Sequence, residues 1–385
     1  MTAAPLVVVG SGLAGYAVAR EFRKLDKDTP LVVLSRDHGG YYSKPMLSNA
    51  LAGQKTAASL LMKPAEKMAT ELNADVRGGV SVQHIDTAAR QLTLASGEVL
   101  AYRDLVLALG ADPIRVSLGG DAAAAVCSVN DLDDYARFSQ ALEGAHSVAI
   151  LGAGLIGCEF ANDLLHRGIA PTVLDLADGP LSRLLPREAS DWLRARLESA
   201  GVAFRFGAAA SRVDHHGDGL TVTLADGSAL HADRVLSAVG LQPRLAMAQS
   251  AGIAVGRGIS VDRLLATSAA HVWAVGDCAE VLGLNLPYVM PLMQQSRALA
   301  ATLCGQPTPV AYPAMPVLVK TPACPTIVCP PPPGAAGRWE TEATADACEA
   351  RFVGADGALL GFALLGAATA KKQAMAALVP GAWPA

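Results

Sequence analysis

Two hexads of the form GxGxxG, Gly10-Ser11-Gly12-Leu13-Ala14-Gly15 and Gly152-Ala153-Gly154-Leu155-Ile156-Gly157, hold the spacing in this chain most able to support chemistry. The first glycine of such a hexad makes a tight turn, the second lets backbone approach a pyrophosphate, and the third lets the next helix pack close. N–H groups at the start of that helix then meet the phosphates. Two copies in context predict two dinucleotides. Asp175 follows Gly152 by 23 residues, where a carboxylate would accept both ribose hydroxyls and repel a 2′-phosphate. The first unit departs from this pattern, with Ser35 and Arg36 at the matching place. Ser35 can bond a hydroxyl, Arg36 can stack on adenine, and Asp37 is the nearest substitute acid. Lys44 and Lys320 stand in apolar, proline-flanked stretches, where a lysine is costly unless it meets an anion or reaches water.

Each hexad needs a strand before it and a helix behind it. Leu6 to Val9, a periodic run through Phe22 and Leu31 to Leu34 read strand, helix, strand; Val148 to Leu151, a run through Leu165 and Thr172 to Leu174 repeat the order 142 residues on. Val80 to Ile85 and Leu92 to Leu94 read as further strands. Leu105 to Pro113 and Val235 to Pro243 share one pattern, a buried strand with a glycine and proline exit, and mark where the chain crosses between units. Val272 to Asp277 is another buried strand closing on Gly-Asp, followed by Pro287 to Met290 with Val289, and an Ala/Leu helix from Pro291 to Leu303. The C-terminal part predicts strands near Met315 to Val319 and Arg351 to Phe352, and a terminal helix. The fold class is therefore α/β, with two Rossmann-like dinucleotide-binding domains and a small α+β C-terminal domain. The expected boundaries are 1–113 and 243–311 for the first domain, 114–242 for an inserted second one and 312–385 for the third.

Composition supports this and excludes other classes. With 385 residues, 51% of them hydrophobic and 17% charged, the chain can bury two or three cores and is neither disordered nor a coiled-coil rod. A net charge of −4 gives no field for phosphate backbones or anionic lipid, so nucleic acid is not expected as a partner. Seven widely scattered cysteines predict reduced thiols in the cytoplasm rather than a disulfide framework or zinc site. The apolar N-terminus lacks a basic flank and is broken by glycine, so it reads as a strand rather than an export signal. The charge-free stretch Ala298 to Val319 carries four prolines and the run Ala358 to Ala370 is short; no membrane insertion is predicted.

A first dinucleotide motif, a second one inserted and a late Gly-Asp strand together resemble the two-dinucleotide flavoprotein reductases over essentially the whole chain. Within that group, Tyr42-Ser43-Lys44-Pro45-Met46-Leu47-Ser48, the helix Gly154 to Leu164 and Met315-Pro316-Val317-Leu318-Val319-Lys320-Thr321-Pro322 look like rubredoxin reductases. The resemblance implies FAD on the first glycine turn, NADH on the second, Asp277 on the flavin ribityl chain and Val82 on the adenine-contacting strand. Pro45 and Val289 join the implied flavin pocket. Hydride transfer from NADH to flavin needs stacked rings rather than an acid–base pair, and the eight histidines show no metal spacing, so neither a catalytic triad nor a metal is expected. Lys44 and Lys320 are the candidates to stabilise charge on reduced flavin. Glu159 matches the family's glutamate beside flavin and nicotinamide. Related ferredoxin reductases carry a lysine where Asn49 stands here, which leaves Glu159 free to pair with Lys320.

The implied acceptor is rubredoxin, taking electrons singly in a transport role such as alkane hydroxylation or oxygen detoxification. Because that partner is small and acidic, a local basic rim including Lys44 and Lys320 is expected to dock it. Ferredoxin or flavorubredoxin reduction is the alternative, with a nucleotide-sensing flavoprotein a further one. Cys324 and Cys329 show the CxxxxC spacing of disulfide reductases, yet residues 41–49, where those enzymes place the pair, hold no cysteine. An extended strand would also set the two Cα atoms about 16 Å apart, beyond disulfide reach. Cys158 lacks a CxxC partner, which excludes a thioredoxin reductase mechanism.

Overall fold

The computed structural model describes residues 4–383. Chain order gives β1 (Leu6–Val9), α1 (Leu13–Leu25), β2 (Leu31–Leu34), β3 (Asp75–Arg77) and β4 (Asp104–Leu107), then β5 (Ser147–Leu151), α2 (Leu155–Leu165), β6 (Ala170–Asp175), β7 (Ala203–Phe206) and β8 (Arg234–Ser237). After these come β9 (Val272–Ala274) and α3 (Val289–Leu303). The first sheet is parallel in the order β9-β4-β1-β2-β3 and the second in the order β7-β6-β5-β8. In both, the strand before the glycine turn is central. β1, β2 and β4 are buried at every residue, because a parallel sheet is covered on both faces and shows no alternation. Each such Val or Leu contributes about 1.5–3 kcal/mol.

Each parallel sheet has its own antiparallel meander, Val82–Asp86 with Gln91–Leu94 and Val99–Ala101 in the first unit and Ala210–His216 with Gly219–Leu224 and Ala229–Ala232 in the second. The two exit patterns of similar sequence pair with one another: Ala111–Pro113 and Leu241–Pro243 form one antiparallel ladder where the chain crosses between units.

The C-terminal sheet comprises β10 (Val317–Val319), β11 (Thr326–Cys329), β12 (Gly337–Ala343), β13 (Ala347–Gly354) and β14 (Leu359–Gly366), in the order β10-β11-β14-β13-β12. Val319, Val328, Ala350, Ala363 and Leu365 on one face share a core with Leu47, Leu51, Phe160 and Leu164, while Ile327, Phe362 and Leu364 pack beneath the terminal helix. The sequence reading underestimated this sheet. The strand expected at Arg351 to Phe352 spans Ala347–Gly354, and the apolar run from Ala358 becomes β14, buried on both faces. A continuous apolar run fits a two-sided strand as well as a helix segment. The terminal helix is only Lys372–Ala376. Among the described residues no helix is long and apolar enough to cross a membrane.

Candidate functional site

Both glycine turns lie between a buried strand and a helix start, and their geometry is the same. Gly10 and Gly152 hold φ of +117° and +106°, in the region that favours glycine. A Cβ on Gly10 would lie 2.1 Å from the Ala108 carbonyl oxygen, and one on Gly15 would lie 1.8 Å from that of Gly10. On Gly157 it would meet the Gly152 carbonyl at 1.9 Å. Gly12 and Gly154 differ: nothing lies within 4 Å of a Cβ at either. Each precedes the helix as its cap, and neither helix has an acidic residue in its first turn. These open, N–H-lined cradles fit a dinucleotide pyrophosphate, with the positive end of the helix dipole facing it. Leu13 and Ala14 begin α1, and a Cβ on Gly276 would lie 2.6 Å from that of Ala14, so the Gly276-Asp277 turn rests against the first cradle.

The strand ends beyond the two cradles are built differently. Asp175, at the end of β6, accepts the Ala153 N–H at 2.6 Å and the Ala177 N–H at 2.8 Å, one bond on each oxygen. Lone pairs remain on both for hydroxyls. In the first unit Ser35 Oγ donates to Asp37 Oδ1 at 2.5 Å and lies 2.6 Å from Ser11 Oγ, while the Gly39 N–H donates to the same carboxylate oxygen at 2.9 Å. Burial works against the Asp37 carboxylate, yet these donors hold its pKa below the ordinary value. A serine relay to Asp37 thus stands where the second unit has a carboxylate alone. Arg36 turns outward to Asp112 at 3.4 Å, a carboxylate that also pairs with Arg244 at 2.6 Å. The Val80 N–H donates to the Ser35 carbonyl, which brings Val82, the first residue of its strand, beside the same end of β2.

Beyond the second turn, α2 presents Glu159, 1% exposed, to the segments around Ser48 and Lys320. Glu159 Oε2 accepts Ser48 Oγ at 2.5 Å and pairs with Lys320 Nζ, while Oε1 accepts the Lys320 backbone N–H at 2.9 Å. Four residues at most farther along α2, Asn162 accepts the Ala323 N–H at 3.0 Å, and Asp163 accepts the N–H groups of Leu51 and Ala52 at 2.8 and 2.9 Å. Lys44 opens the 3-10 turn Lys44–Asn49 with Pro45 in its first turn. It forms no ion pair among the described residues; burial lowers its pKa, with Asp277 the largest opposing influence and Arg244 adding to the fall. Val289, 45% exposed, begins α3, whose Gln295 accepts the Gly276 N–H at 2.7 Å and donates to Tyr312.

Lys44 and Lys320 therefore do not make the expected basic rim. Lys320 is neutralised by Glu159 and Lys44 is only partly exposed, with burial lowering its pKa, so the two do not stand as a pair of free surface cations. Cys324 and Cys329 are buried free thiols, and burial raises the pKa of both. Sequence reasoning assigned no role to Ser48, Asn162 and Asp163, which lie inside the quoted motifs, or to Gln295. Polar residues three and four positions after Glu159 in an otherwise apolar helix were the available signal for two of them.

Residues 4–301 match the family described as pyridine nucleotide-disulphide oxidoreductase, and residues 309–379 match the rubredoxin binding C-terminal domain. The chain is 50% identical to the rubredoxin-NAD(+) reductase of Alcanivorax borkumensis, over 99% of this chain and 100% of that protein. It is 46% identical to the rubredoxin-NAD(+) reductase of Acinetobacter baylyi, over 99% of each. Its fold is similar to a chain in the covalent putidaredoxin reductase–putidaredoxin complex, with a TM-score of 0.88 and 25% identity over 99% of this chain and 94% of that one. FAD and NAD(H) are the cofactors of such reductases, and the two cradles fit them. This chain belongs to the pyridine nucleotide-disulphide oxidoreductase family and carries a rubredoxin-binding C-terminal domain.

Proposed function

We propose that the chain is an NADH-dependent FAD reductase that passes electrons singly to rubredoxin. The observation that carries this reading is the Glu159–Lys320 pair, which joins the helix behind the second cradle to the rubredoxin-binding segment. FAD, when bound, accepts hydride from NADH and releases electrons one at a time. In this reading Gly10, Gly12, Gly15 and the start of α1 hold the flavin pyrophosphate, and Ser11, Ser35 and Asp37 hold its ribose. Arg36 and Val82 border the adenine. Gly152, Gly154 and Gly157 hold the nicotinamide nucleotide, and Asp175 selects NADH over NADPH.

Asp277, Pro45 and Val289 line the flavin's inner half. Lys44 supplies the unpaired positive charge there, and Glu159 holds Lys320 in place beside it while keeping that lysine's net field small. The inferred boundaries remain 1–113 with 243–311, 114–242, and 312–385. Dependence on NADH and seven free thiols suit the cytoplasm, where we place the reaction.

Stopped-flow reoxidation of the NADH-reduced protein by purified rubredoxin, ferredoxin and a dithiol acceptor tests the proposal. Rubredoxin should reoxidise it fastest. Faster reoxidation by ferredoxin, or protein that is colourless and cannot be reconstituted with FAD, would overturn it.

A further inference from the structure

Glu159, Asn162 and Asp163 occupy one face of α2, at spacings that place them side by side. All three are at most 2% exposed, in a helix whose other buried positions are apolar or small. A helix packed on a sheet has no need of polar groups there, and each must be matched by a donor. The donors come from two segments remote from one another in the chain. Ser48, Leu51 and Ala52 follow Lys44; Lys320 and Ala323 follow β10. Asn162 ties the turn immediately after Lys320, and Asp163 uses both oxygens on consecutive N–H groups. Such bonds to an ionised acceptor are the stronger kind. Burial pushes the Asp163 carboxyl above its ordinary value, and the Ala52 and Leu51 N–H groups draw it back.

We propose that Asn162 and Asp163 are positioning residues that keep the start of α2, where the second dinucleotide lands, in register with the segments carrying Lys44 and Lys320. Neither residue hydrogen-bonds a glycine cradle through its side chain. Their effect is exerted through the Ala323 turn and the 51–52 backbone, which fix the two lysines relative to Gly154. Reacting rings must meet within a narrow distance, so a loosened register slows electron entry without weakening nucleotide binding. That consequence rests on the redox reading above; the register itself does not.

The test uses the FAD-loaded protein. Amide hydrogen exchange is followed at Ala323, Leu51 and Ala52, together with the flavin midpoint potential and with kcat and KM for NADH using ferricyanide as acceptor. Asn162→Ala should speed exchange at residue 323 about tenfold and lower kcat about tenfold, with KM for NADH unchanged within about twofold and the potential shifted. Asp163→Ala should do the same at residues 51 and 52, and Asp163→Asn, which keeps one acceptor oxygen, should recover part of the loss. Leu164→Ala thins the core behind the same helix but makes none of these bonds. It should lower Tm while leaving exchange at 323, the potential and the kcat-to-KM pattern as in wild type. The proposal is overturned if Asn162→Ala and Asp163→Ala exchange like wild type, or if their defects merely track Tm as in Leu164→Ala. Wild-type protein that exchanges as expected but shows no turnover with NADH would instead sink the redox reading and leave the register standing.

Discussion

Lys320 and Glu159, 161 residues apart in the chain, form one ion pair, 20% exposed at the lysine and 1% at the glutamate. The Ser48 hydroxyl and the Lys320 N–H complete the glutamate's shell. A carboxylate this buried is tolerated because its neighbours compensate it.

Removing the lysine alone leaves that charge uncompensated. Lys320→Met should destabilise the protein by about 3–5 kcal/mol, and the double variant Glu159→Gln/Lys320→Met should recover most of the loss. Urea denaturation of both variants measures this. Equal losses in the single and double variants would mean that the pair carries no coupling.

Nucleotide preference is expected to rest on Asp175. Asp175→Ala removes a carboxylate placed at the end of β6 and orphans the Ala153 N–H. The ratio of kcat/KM for NADH over that for NADPH should fall by about tenfold or more, as loss of a hydrogen bond to a charged group predicts. Unchanged selectivity would take the role from this residue.

The glycines of the first turn should separate binding from folding. Gly12 has φ of −69° and open space beyond its α-carbon, so Gly12→Ala should fold, keep its Tm without cofactor and lose most of its FAD affinity. Gly15→Ala would drive a methyl into the Gly10 carbonyl and should fail to fold. Flavin absorbance after gel filtration, set beside circular dichroism, distinguishes the two defects.

Acid should attack the Ser35–Asp37 turn of the first unit. The Asp37 carboxyl binds its proton less tightly in the fold than in the unfolded chain, because donation from Ser35 and Gly39 outweighs burial. The unfolded chain therefore takes up more protons as pH falls below the ordinary value of 3.8. This contribution to stability is complete above that value and is lost as pH falls through the lower folded one. Asp37→Asn should flatten the acid limb of a Tm-versus-pH curve relative to wild type.

Local pattern made much of this site readable. The hexads announced themselves because a pyrophosphate cradle needs glycine at fixed steps between a strand and a helix. Asp175 and Asp277 were singled out the same way, by distance from a glycine or a strand end. Asp37 was named only as a substitute acid because its use depends on a serine relay that folds back over two residues. Asn162 and Asp163 lay in the helix that carried the resemblance but were given no role, since their partners lie at residues 51, 52 and 323 and only packing brings those together. The extent of the C-terminal sheet was equally hidden: β14 is apolar on both faces because two cores press on it, and periodicity carries no mark of that. The two lysines were identified correctly as costly residues, but their surroundings, one paired and one half-buried, are set by α2 and by the Asp277 turn rather than by their neighbours in sequence.

Lys44 is the sharper of those two cases. It is half-buried and makes no ion pair among the described residues, and burial lowers its pKa more than Asp277 raises it. The unfolded chain then holds its proton more tightly, and between the folded value and the ordinary 10.5 the stability of the cofactor-free protein should rise with pH. Lys44→Met removes a desolvated charge, so the cofactor-free variant should be at least as stable as wild type at pH 7. The loaded protein should behave in the opposite way. If Lys44 meets the electron-rich edge of the flavin, FAD binding supplies the missing anion, and the Tm gain on adding FAD should be smaller in Lys44→Met than in wild type. Thermal melts with and without FAD at two pH values give both signs in one experiment. A variant less stable without cofactor, yet gaining as much from FAD as wild type does, would make Lys44 a structural lysine rather than a flavin contact.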